Sequence, residues 1–342
     1  MEAVARQFAT NEHCLVIRNG WFSYRWTEIF DMGASSNQTI PKSHTVLKAQ
    51  QINDTSNGDL PQYAPYPIEK VLERIYEETP KVMFAPHVET STGMILPDDY
   101  IRQAAQAMHE VGGLFVLDCI ASGTVWADMK DLDVDVVISA PQKGWTGPAC
   151  AALVMMSERA TQVMMETEET SFSMSLKRWS AIMDTYENGG FGYHTTLPTD
   201  ALRQFHEISV ETLKFGIPQL KSAQIELGQK SHETLQSKGL KAVAAPGFES
   251  PGVLVYYSPP NSETSTSQIE NPIMMQKFKE NGLQIAMGVP WKIDEPETPM
   301  KTFRMGLFGL DKLANIPETV DVMDEALDNI MGEIGNQDTK VA

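Results

Sequence analysis

Apolar residues recur through the first two thirds of the chain in short runs that alternate with stretches of helical spacing. Two such stretches, at residues 66–78 and 98–111, place apolar side chains three or four positions apart and predict helices. Because helices separate the apolar runs, we expect parallel β-α-β units, and continuously apolar strands predict a sheet covered on both faces. The runs that predict strands are residues 13–17, 81–85, 113–117, 134–138 and 151–155.

The pattern changes after about residue 217, where this alternation stops. A chain of 342 residues is long enough for about two domains. We therefore predict a large α/β domain at residues 1–217 and a smaller C-terminal α+β domain at residues 218–342. The later part predicts a helix at 219–238, strands at 242–245 and 252–257, a polar loop at 259–268 and a terminal helix at 318–334.

The charge of the chain narrows the choice of partners. Its formal net charge of -18 repels a phosphate backbone, so we do not expect nucleic acid as a partner. A local basic pocket for a small anionic substrate remains compatible with an acidic surface. No apolar run approaches the length of about 18 residues that a membrane span needs, so we expect no membrane.

The three cysteines, Cys14, Cys119 and Cys150, are too widely spaced for a disulfide framework or a zinc site. We therefore expect no metal and a reducing compartment. The cytoplasm fits best, and a peroxisome or mitochondrion stays open.

Polar or unusual residues end four of the predicted strands. They lie at residues 19–20, 87–93, 118 and 139–143. In an open parallel sheet, ligands bind outside the carboxyl ends of the strands. This shared position predicts a binding site at that edge of the sheet.

Asp118 and Lys143 are the two residues of this edge with the clearest chemistry. Asp118 ends the most apolar strand, and it could cap a following helix or hold a cationic group of a ligand. Lys143 could be a surface lysine, but its Gly- and Pro-containing surroundings predict a shaped loop, where a lysine amine can become nucleophilic. A lysine for the aldehyde and an acid for the pyridine nitrogen suit pyridoxal phosphate.

Six segments resemble the class V aminotransferases, most closely those of the alanine–glyoxylate and serine–pyruvate type. Their order along the chain is that of the family, and together they cover nearly its whole length. The segments are NGWFSYRW (19–26), PHVETSTG (86–93), FVLDCIAS (115–122), SAPQKGWTGPA (139–149), YHTTLP (193–198) and TFRMGLFG (302–309).

The resemblance implies the pyridoxal-phosphate transferase fold of type I, which has a mostly parallel central sheet, helices on both faces and a smaller C-terminal α+β domain. It also implies an aminotransferase that moves an amino group from a small amino acid, such as alanine or serine, to a 2-oxo acid, such as glyoxylate or pyruvate.

The resemblance also assigns roles in binding pyridoxal 5′-phosphate. Lys143 would join the cofactor as a Schiff base, and Asp118 would pair with the pyridine nitrogen. Ile120 would pack on one face of the ring and Phe22 on the other.

Further matches concern the rim of the site and a neighbouring subunit. Thr90 and Gln142 match positions that hydrogen-bond the cofactor. Tyr193 and Thr196 match a pair that reaches the cofactor phosphate of the neighbouring subunit, which implies a homodimer. Arg304 matches the arginine that grips the substrate carboxylate, for which a planar guanidinium group is suited.

Other residues near these motifs are given no chemistry by the sequence. His87 and Glu89 are expected only to shape their loop, and Trp145 is expected to be structural. Lys301 is an alternative anion contact to Arg304.

Two departures from the family pattern stand out. Ala149 replaces a glycine of the lysine loop. In the family, a short Ser/Gly/Thr turn that cups the cofactor phosphate precedes the helix that MEAVARQF resembles, and this sequence begins at Met1. Since each lost charge-assisted hydrogen bond is worth roughly 1.5–3 kcal/mol, we expect weaker cofactor binding by a factor on the order of a hundred to tens of thousands.

Two other functions fit parts of the pattern. A cysteine desulfurase or lyase would share the fold, but desulfurases place a histidine where this chain has Gln142. A non-catalytic relative that acts only by dimerising would account for the missing phosphate turn, although it would not account for the retained Asp118, Lys143 and Arg304.

Overall fold

The computed structural model describes residues 1–33, 39–168, 170–262, 267–295 and 301–338. Its helices are α1 (Glu2–Phe8), α2 (Trp21–Gly33), α3 (Ile68–Glu78), α4 (Asp98–Glu110), α5 (Glu158–Glu166), α6 (Leu176–Glu187), α7 (Thr199–Phe215), α8 (Ile217–Ser237), α9 (Asn271–Glu280), α10 (Leu310–Ala314) and α11 (Ile316–Asp338).

The strands are β1 (His13–Arg18), β2 (Ser43–Lys48), β3 (Gln50–Gln51), β4 (Tyr63–Ala64), β5 (Val82–Pro86), β6 (Val88–Glu89), β7 (Met94–Ile95), β8 (Leu114–Asp118), β9 (Val136–Ser139), β10 (Leu153–Met156), β11 (Val253–Tyr257), β12 (Ala286–Met287) and β13 (Thr302–Gly306). No helix in these ranges combines the length and the apolar character that crossing a membrane requires.

A six-stranded sheet forms the centre of the first part of the chain, in the order β10-β9-β8-β5-β1-β2. Every neighbouring pair in it is parallel except β9 with β10. Every residue of β5 and β8 is buried, as their continuously apolar sequences predict. Helices α3 and α4 contribute to the apolar core on one face, and α1, α2, α5 and α6 contribute to the core on the other. The predicted fold class is confirmed.

The sheet differs from the prediction at its two edges. Strand β10 pairs antiparallel with β9, because the chain returns through a loop instead of crossing over through a helix. Strand β2 and helix α2 were not predicted. In β2 the only fully buried residue is Leu47, so the strand lacks the apolar run that marks its neighbours.

A three-stranded antiparallel sheet, in the order β11-β13-β12, lies in the last third of the chain and packs with α8, α9 and α11. The predicted strand at 242–245 is wrong, because its residues form only single bridges, Ala242 to Tyr256 and Ala244 to Tyr63. The predicted division at residue 217 stays a prediction; at that point the chain turns from α7 into α8 through Gly216, whose φ is 101°.

One apolar core joins the two parts of the chain. The indole of Trp291 lies edge-on to Tyr63 at 5.3 Å and to Tyr257 at 6.1 Å, measured between ring centroids. The Tyr257 hydroxyl donates a hydrogen bond to the carbonyl of Pro61 at 2.6 Å. Residues before 217 and after 240 thus bury one another in this core.

Candidate active site

Asp118 is the last residue of β8, at the carboxyl edge of the main sheet. Its carboxylate accepts a hydrogen bond from the backbone N–H of Ile120 at 3.0 Å, and the described residues provide no second donor. Burial raises the pKa of Asp118 to about 6, and the Ile120 N–H only partly opposes this rise. No helix follows β8 directly, so Asp118 is not a helix cap. This carboxylate can accept a further hydrogen bond from a donor group of a ligand.

Lys143 lies in the loop between β9 and β10. The loop is closed by hydrogen bonds from Gly147 N–H to the Pro141 carbonyl (2.8 Å) and from Thr146 N–H to the Lys143 carbonyl (2.9 Å). The pKa of Lys143 is lowered, first because burial disfavours the ammonium ion and then because Arg304 and Arg25 add positive charge. A half-buried amine of lowered pKa is suited to attack an aldehyde.

The loop that carries Lys143 packs directly on the turn that follows Asp118. A side chain at Gly144 would place its Cβ 2.1 Å from the Gly123 carbonyl oxygen, so only glycine allows this approach. Gly123 itself has a φ of 63°, which favours glycine. Backbone contact therefore fixes the lysine loop against the strand end that bears the carboxylate.

Phe22 is held by a carboxylate to which the sequence assigned no chemistry. Glu89 is fully buried, and its Oε1 accepts hydrogen bonds from Phe22 N–H (3.1 Å) and from Ser91. Its Oε2 accepts from the N–H and hydroxyl of Ser23 at 2.9 and 2.7 Å. Because the first N–H groups of a helix lack partners inside it, Glu89 fixes the start of α2 and with it the backbone of Phe22.

Arg304 and Arg25 both approach the Phe22 ring. The guanidinium carbon of Arg304 lies 6.0 Å from the ring centroid, and that of Arg25 lies 4.7 Å from it. Arg304 donates through Nε to the Met287 carbonyl at 2.7 Å, which fixes its direction on β13. The pKa of Arg304 is lowered by burial, and the negative charge of Glu89 opposes that shift.

The sequence pattern did not predict Arg25 as a residue of the site. Its effect on the pKa values of both Asp118 and Lys143 places it among the charges of the site. The available signal was the position of Arg25 one helical turn after Phe22 in α2.

Three other predicted residues lie beside these groups in sequence. Ile120 is partly buried against the core on the face of α1 and α2. Gln142 is exposed and Thr90 is partly exposed, and the described part of the chain offers no hydrogen-bond partner to either side chain. Both polar groups are therefore available to a ligand.

Tyr193 and Thr196 lie apart from the other predicted residues. Their hydroxyl groups are 3.1 Å apart, both side chains are exposed, and they have no described contact with Asp118 or Lys143. This chain alone therefore does not bring the pair into the site formed by its own strand ends.

Lys301 and Trp145 flank predicted site residues in the sequence. Lys301 forms an ion pair with Glu270, which leaves Arg304 as the better anion contact. Trp145 stacks obliquely on Trp126, with ring centroids 4.8 Å apart, as a structural residue would.

His87 and Cys119 form a neutral group beneath the edge. The His87 Nδ1 lies 2.8 Å from the Ser122 hydroxyl, and burial lowers the pKa of His87 to about 4. Burial also raises the pKa of Cys119 to about 12. Within the described ranges, no group of three or more His, Cys, Asp or Glu side chains could hold a metal ion.

These residues fit pyridoxal phosphate on chemical grounds. The group needs an amine for its aldehyde, an acid for its ring nitrogen and an apolar surface for its ring. Lys143, Asp118 and Phe22 offer these three features, and the Asp118 carboxylate has room for another donor.

Comparison with known proteins decides the family. The aminotransferase class-V family model matches residues 47–243, which is more than half of the chain. The chain belongs to the class-V aminotransferase family. Membership in this family confirms the predicted cofactor, pyridoxal 5′-phosphate.

Curated relatives of this class-V chain share about a quarter of their residues with it. Alanine–glyoxylate aminotransferase 1 of Saccharomyces cerevisiae is 24% identical over 215 residues, which are 61% of this chain and 51% of that protein. The 2-aminoethylphosphonate–pyruvate transaminase of Vibrio parahaemolyticus is 24% identical over 244 residues, or 70% and 61% of the two chains. The chain thus spans between half and two thirds of the length of these relatives.

Solved structures show the same fold for this class-V chain. Ureidoglycine–glyoxylate aminotransferase from Bacillus subtilis superimposes with a TM-score of 0.76 at 18% identity, over 97% of this chain and 76% of that one. Alanine–glyoxylate aminotransferase from Nostoc sp. gives 0.74 at 16% identity, over 95% and 78%. The roles of individual residues stay predictions.

Proposed function

We propose that the protein is a pyridoxal-phosphate-dependent aminotransferase that moves an amino group from a small amino acid, such as alanine or serine, to a 2-oxo acid, such as glyoxylate or pyruvate. The observation that carries this proposal is the position of a buried Asp118 and a half-buried Lys143 at one sheet edge, where the lysine loop packs on the turn that follows Asp118. The curated relatives include alanine–glyoxylate aminotransferases, which supports this choice of substrates.

In this proposal, the cofactor is held by side chains from several elements. Asp118 would accept a hydrogen bond from the pyridine nitrogen and keep it protonated, and Lys143 would bind the aldehyde carbon. Phe22 and Ile120 would pack on the two faces of the ring. Thr90 and Gln142 would donate or accept hydrogen bonds at its rim.

Each charged residue then has a defined task toward the substrate. The fork of Arg304 would bind the substrate carboxylate and so orient the α-carbon. Bound pyridoxal phosphate supplies an electron sink for the bonds at that carbon. The Lys143 amine, once released, would take a proton from the α-carbon and return it, because burial and nearby positive charge favour its neutral form.

The active assembly in this proposal is a homodimer. Helices α6 and α7 and the segment between them carry exposed large apolar side chains, which include Met183, Tyr186, Phe191, Tyr193 and Leu213. Exposed apolar patches of this kind mark interaction surfaces. A second copy of the chain on this α6–α7 face would bring Tyr193 and Thr196 toward the neighbouring phosphate.

The alternatives receive less support. A desulfurase needs a reactive thiol, whereas burial disfavours the thiolate of Cys119 and Cys14 is fully buried. That leaves the partly buried Cys150 as the remaining thiol. A non-catalytic dimer has no need of a lysine whose pKa burial lowers beside an arginine.

The test is to capture the cofactor on a single residue. The purified chain is mixed with pyridoxal phosphate, its visible absorption is recorded before and after borohydride reduction, and the labelled peptide is mapped. We expect label on Lys143 and transamination that Lys143→Ala reduces by at least about a thousand-fold, whereas Lys279→Ala, a change of an exposed lysine, leaves both unchanged. Transamination that survives in Lys143→Ala would refute the proposal.

A further inference from the structure

The site contains one more arginine than the proposed reaction uses. Arg304 suffices for the carboxylate that every amino acid and 2-oxo acid carries. Arg25 approaches the same Phe22 ring from α2, at 4.7 Å, and its side chain is exposed. Two guanidinium groups from different elements thus approach one ring, that of a residue whose backbone N–H donates to Glu89.

Neither arginine has an acidic partner. Among the residues that the structure describes, no carboxylate lies within ion-pair distance of Arg25 or Arg304. Elsewhere in the chain Arg6, Arg102 and Arg203 pair with Asp or Glu. Arg18 and Arg159 have no described carboxylate partner either, but they donate to the Thr27 hydroxyl and the Gly113 carbonyl. In a chain with a net charge of -18, unpaired cations gathered at one place indicate an anionic ligand.

Glu89 does not neutralise this pair of charges by direct contact. All of the described hydrogen bonds to its carboxylate come from the start of α2 and from Ser91, so neither guanidinium shares them. Arg25 is near enough to Asp118 to lower the pKa of that carboxyl, but the two groups form no ion pair. The Arg25 guanidinium therefore has no direct carboxylate contact among the described residues and is open to an anionic ligand.

We propose that Arg25 is a second anion-binding residue of this site, and that the site accepts, besides small monocarboxylic substrates, an amino or 2-oxo acid with a second acidic group at its far end. This inference rests on the proposed function only in taking the substrate to be an amino or 2-oxo acid. Arg304 would bind the α-carboxylate, and Arg25 would bind the distal carboxylate or phosphonate.

The spacing of the two arginines suits such a ligand. Both guanidinium carbons lie within 6.0 Å of one ring centroid, so they cannot be further apart than twice that distance. A dicarboxylic acid of four or five carbons can span such a gap with one carboxylate on each guanidinium group. Because Arg25 is exposed and Arg304 partly so, solvent and ligand can reach both.

The test uses unreactive acids, so that it does not depend on turnover. The full chain is titrated with succinate and with propionate by calorimetry, in the presence of pyridoxal phosphate. We expect succinate to bind on the order of ten- to a hundred-fold more tightly than propionate, since one charge-assisted contact is added. In Arg25→Gln this preference should disappear, and in Arg25→Lys part of it should remain.

Control variants distinguish the role of Arg25 from that of Arg304. They also show whether Arg25 binds the distal acid of the ligand or the phosphate of the cofactor. Arg203→Gln, which changes an exposed arginine elsewhere, should leave the preference intact, and Arg304→Gln should weaken the binding of both acids. The affinities of Arg25→Gln for pyridoxal phosphate and for pyridoxal are also compared. A loss confined to pyridoxal phosphate, with no change in the succinate preference, would assign Arg25 to the cofactor phosphate and overturn the proposal.

Two further outcomes of these titrations test the proposed role of Arg25. Equal binding of succinate and propionate by the unchanged chain overturns the proposal. A succinate preference that depends on Arg25, in a chain without transaminase activity, supports the anion site while it refutes the proposed function.

Discussion

Burial governs the ionisation of the two central residues in opposite directions. It raises the pKa of Asp118 and lowers that of Lys143, so in both cases the uncharged form gains in the cofactor-free protein. A bound cation beside Asp118 would reverse the first shift. The polar edge of the sheet is thus less stable without its ligand than an apolar edge would be.

Asp118→Asn tests this electrostatic cost. The folded pKa of about 6 exceeds the ordinary value of 3.8, so the folded chain binds more protons than the unfolded chain between these values. The free energy of unfolding therefore falls as the pH rises from about 4 to about 6. We expect Asp118→Asn to raise it by about 1–3 kcal/mol at pH 7.5 in the cofactor-free protein and to weaken cofactor binding.

Urea unfolding at pH 4.5 and pH 7.5 measures this effect. Asp321→Asn, a change of an exposed aspartate on α11, should show neither the gain in stability nor the loss of cofactor binding. A lower stability of Asp118→Asn at pH 7.5 would mean that the folded protein stabilises the charged carboxylate.

Glu89→Gln tests the role of the buried carboxylate that holds α2. The amide keeps the shape, but its NH2 group faces N–H donors that the carboxylate now satisfies. We expect a loss of about 2–4 kcal/mol in the free energy of unfolding, because bonds to a charged acceptor are worth roughly 1.5–3 kcal/mol each.

The matched control is Glu158→Gln, an exposed glutamate in the first turn of α5, which should cost less than about 1 kcal/mol. Similar losses for the two variants in chemical denaturation would contradict the assigned role of Glu89.

At this scale the sequence predicted the residues that stand at the ends of apolar strands. Asp118 and Lys143 were predicted as site residues because polar groups there interrupt a strong pattern, and their roles stay predictions. Arg25 was not predicted as a site residue because it lies inside a helix, where an arginine is common and does not interrupt the pattern. Its proposed role depends on the fold, which brings Arg304 from the far end of the chain to the same Phe22 ring.

Elements with uniform burial were the easiest to predict. Strands β5 and β8 are buried along their whole length and appear as apolar runs, whereas β2 is only partly covered and leaves no clear pattern. The direction of β10 could not be predicted, because the loop before it contains no helix and its turn is set by contacts with a distant segment.

Gly144→Ala tests the contact between the lysine loop and the end of β8. The added Cβ would meet backbone atoms of Gly123 at 2.1–2.9 Å, and backbone cannot move aside as a flexible side chain can. We expect a loss of about 1–3 kcal/mol in stability and weaker cofactor capture on Lys143, because the loop must shift.

Thermal unfolding together with borohydride trapping measures both effects. In Gly332→Ala the new Cβ meets nothing within 4 Å and lies in helix α11, so this control should keep full capture and gain slightly in stability. Normal capture by Gly144→Ala would show that the loop tolerates a different packing.

Large apolar side chains are exposed along α6, α7 and the segment between them. Phe191 is 89% exposed and Tyr193 is 76% exposed, which is unusual for large aromatic residues. If this face is covered in a dimer, Phe191→Ser should weaken self-association by at least about ten-fold, since the change removes a buried aromatic anchor.

Sedimentation velocity over a range of concentrations measures this equilibrium. Val322→Ser, a change of a residue that is 43% exposed on α11, serves as the control and should associate normally. A chain that sediments as a monomer at every concentration would count against the dimer and against the roles of Tyr193 and Thr196.

The core around Trp291 has a consequence for how such proteins can be recombined. Residues 61–64 contribute the Tyr63 ring and the Pro61 carbonyl to a core whose other half comes from β11 and the segment around Trp291. A chimaera that exchanged the C-terminal halves of two relatives at residue 217 would combine mismatched halves of this core. A chimaera with a matched core would have to exchange residues 49–64 together with the C-terminal half, although that segment lies far from it in the sequence.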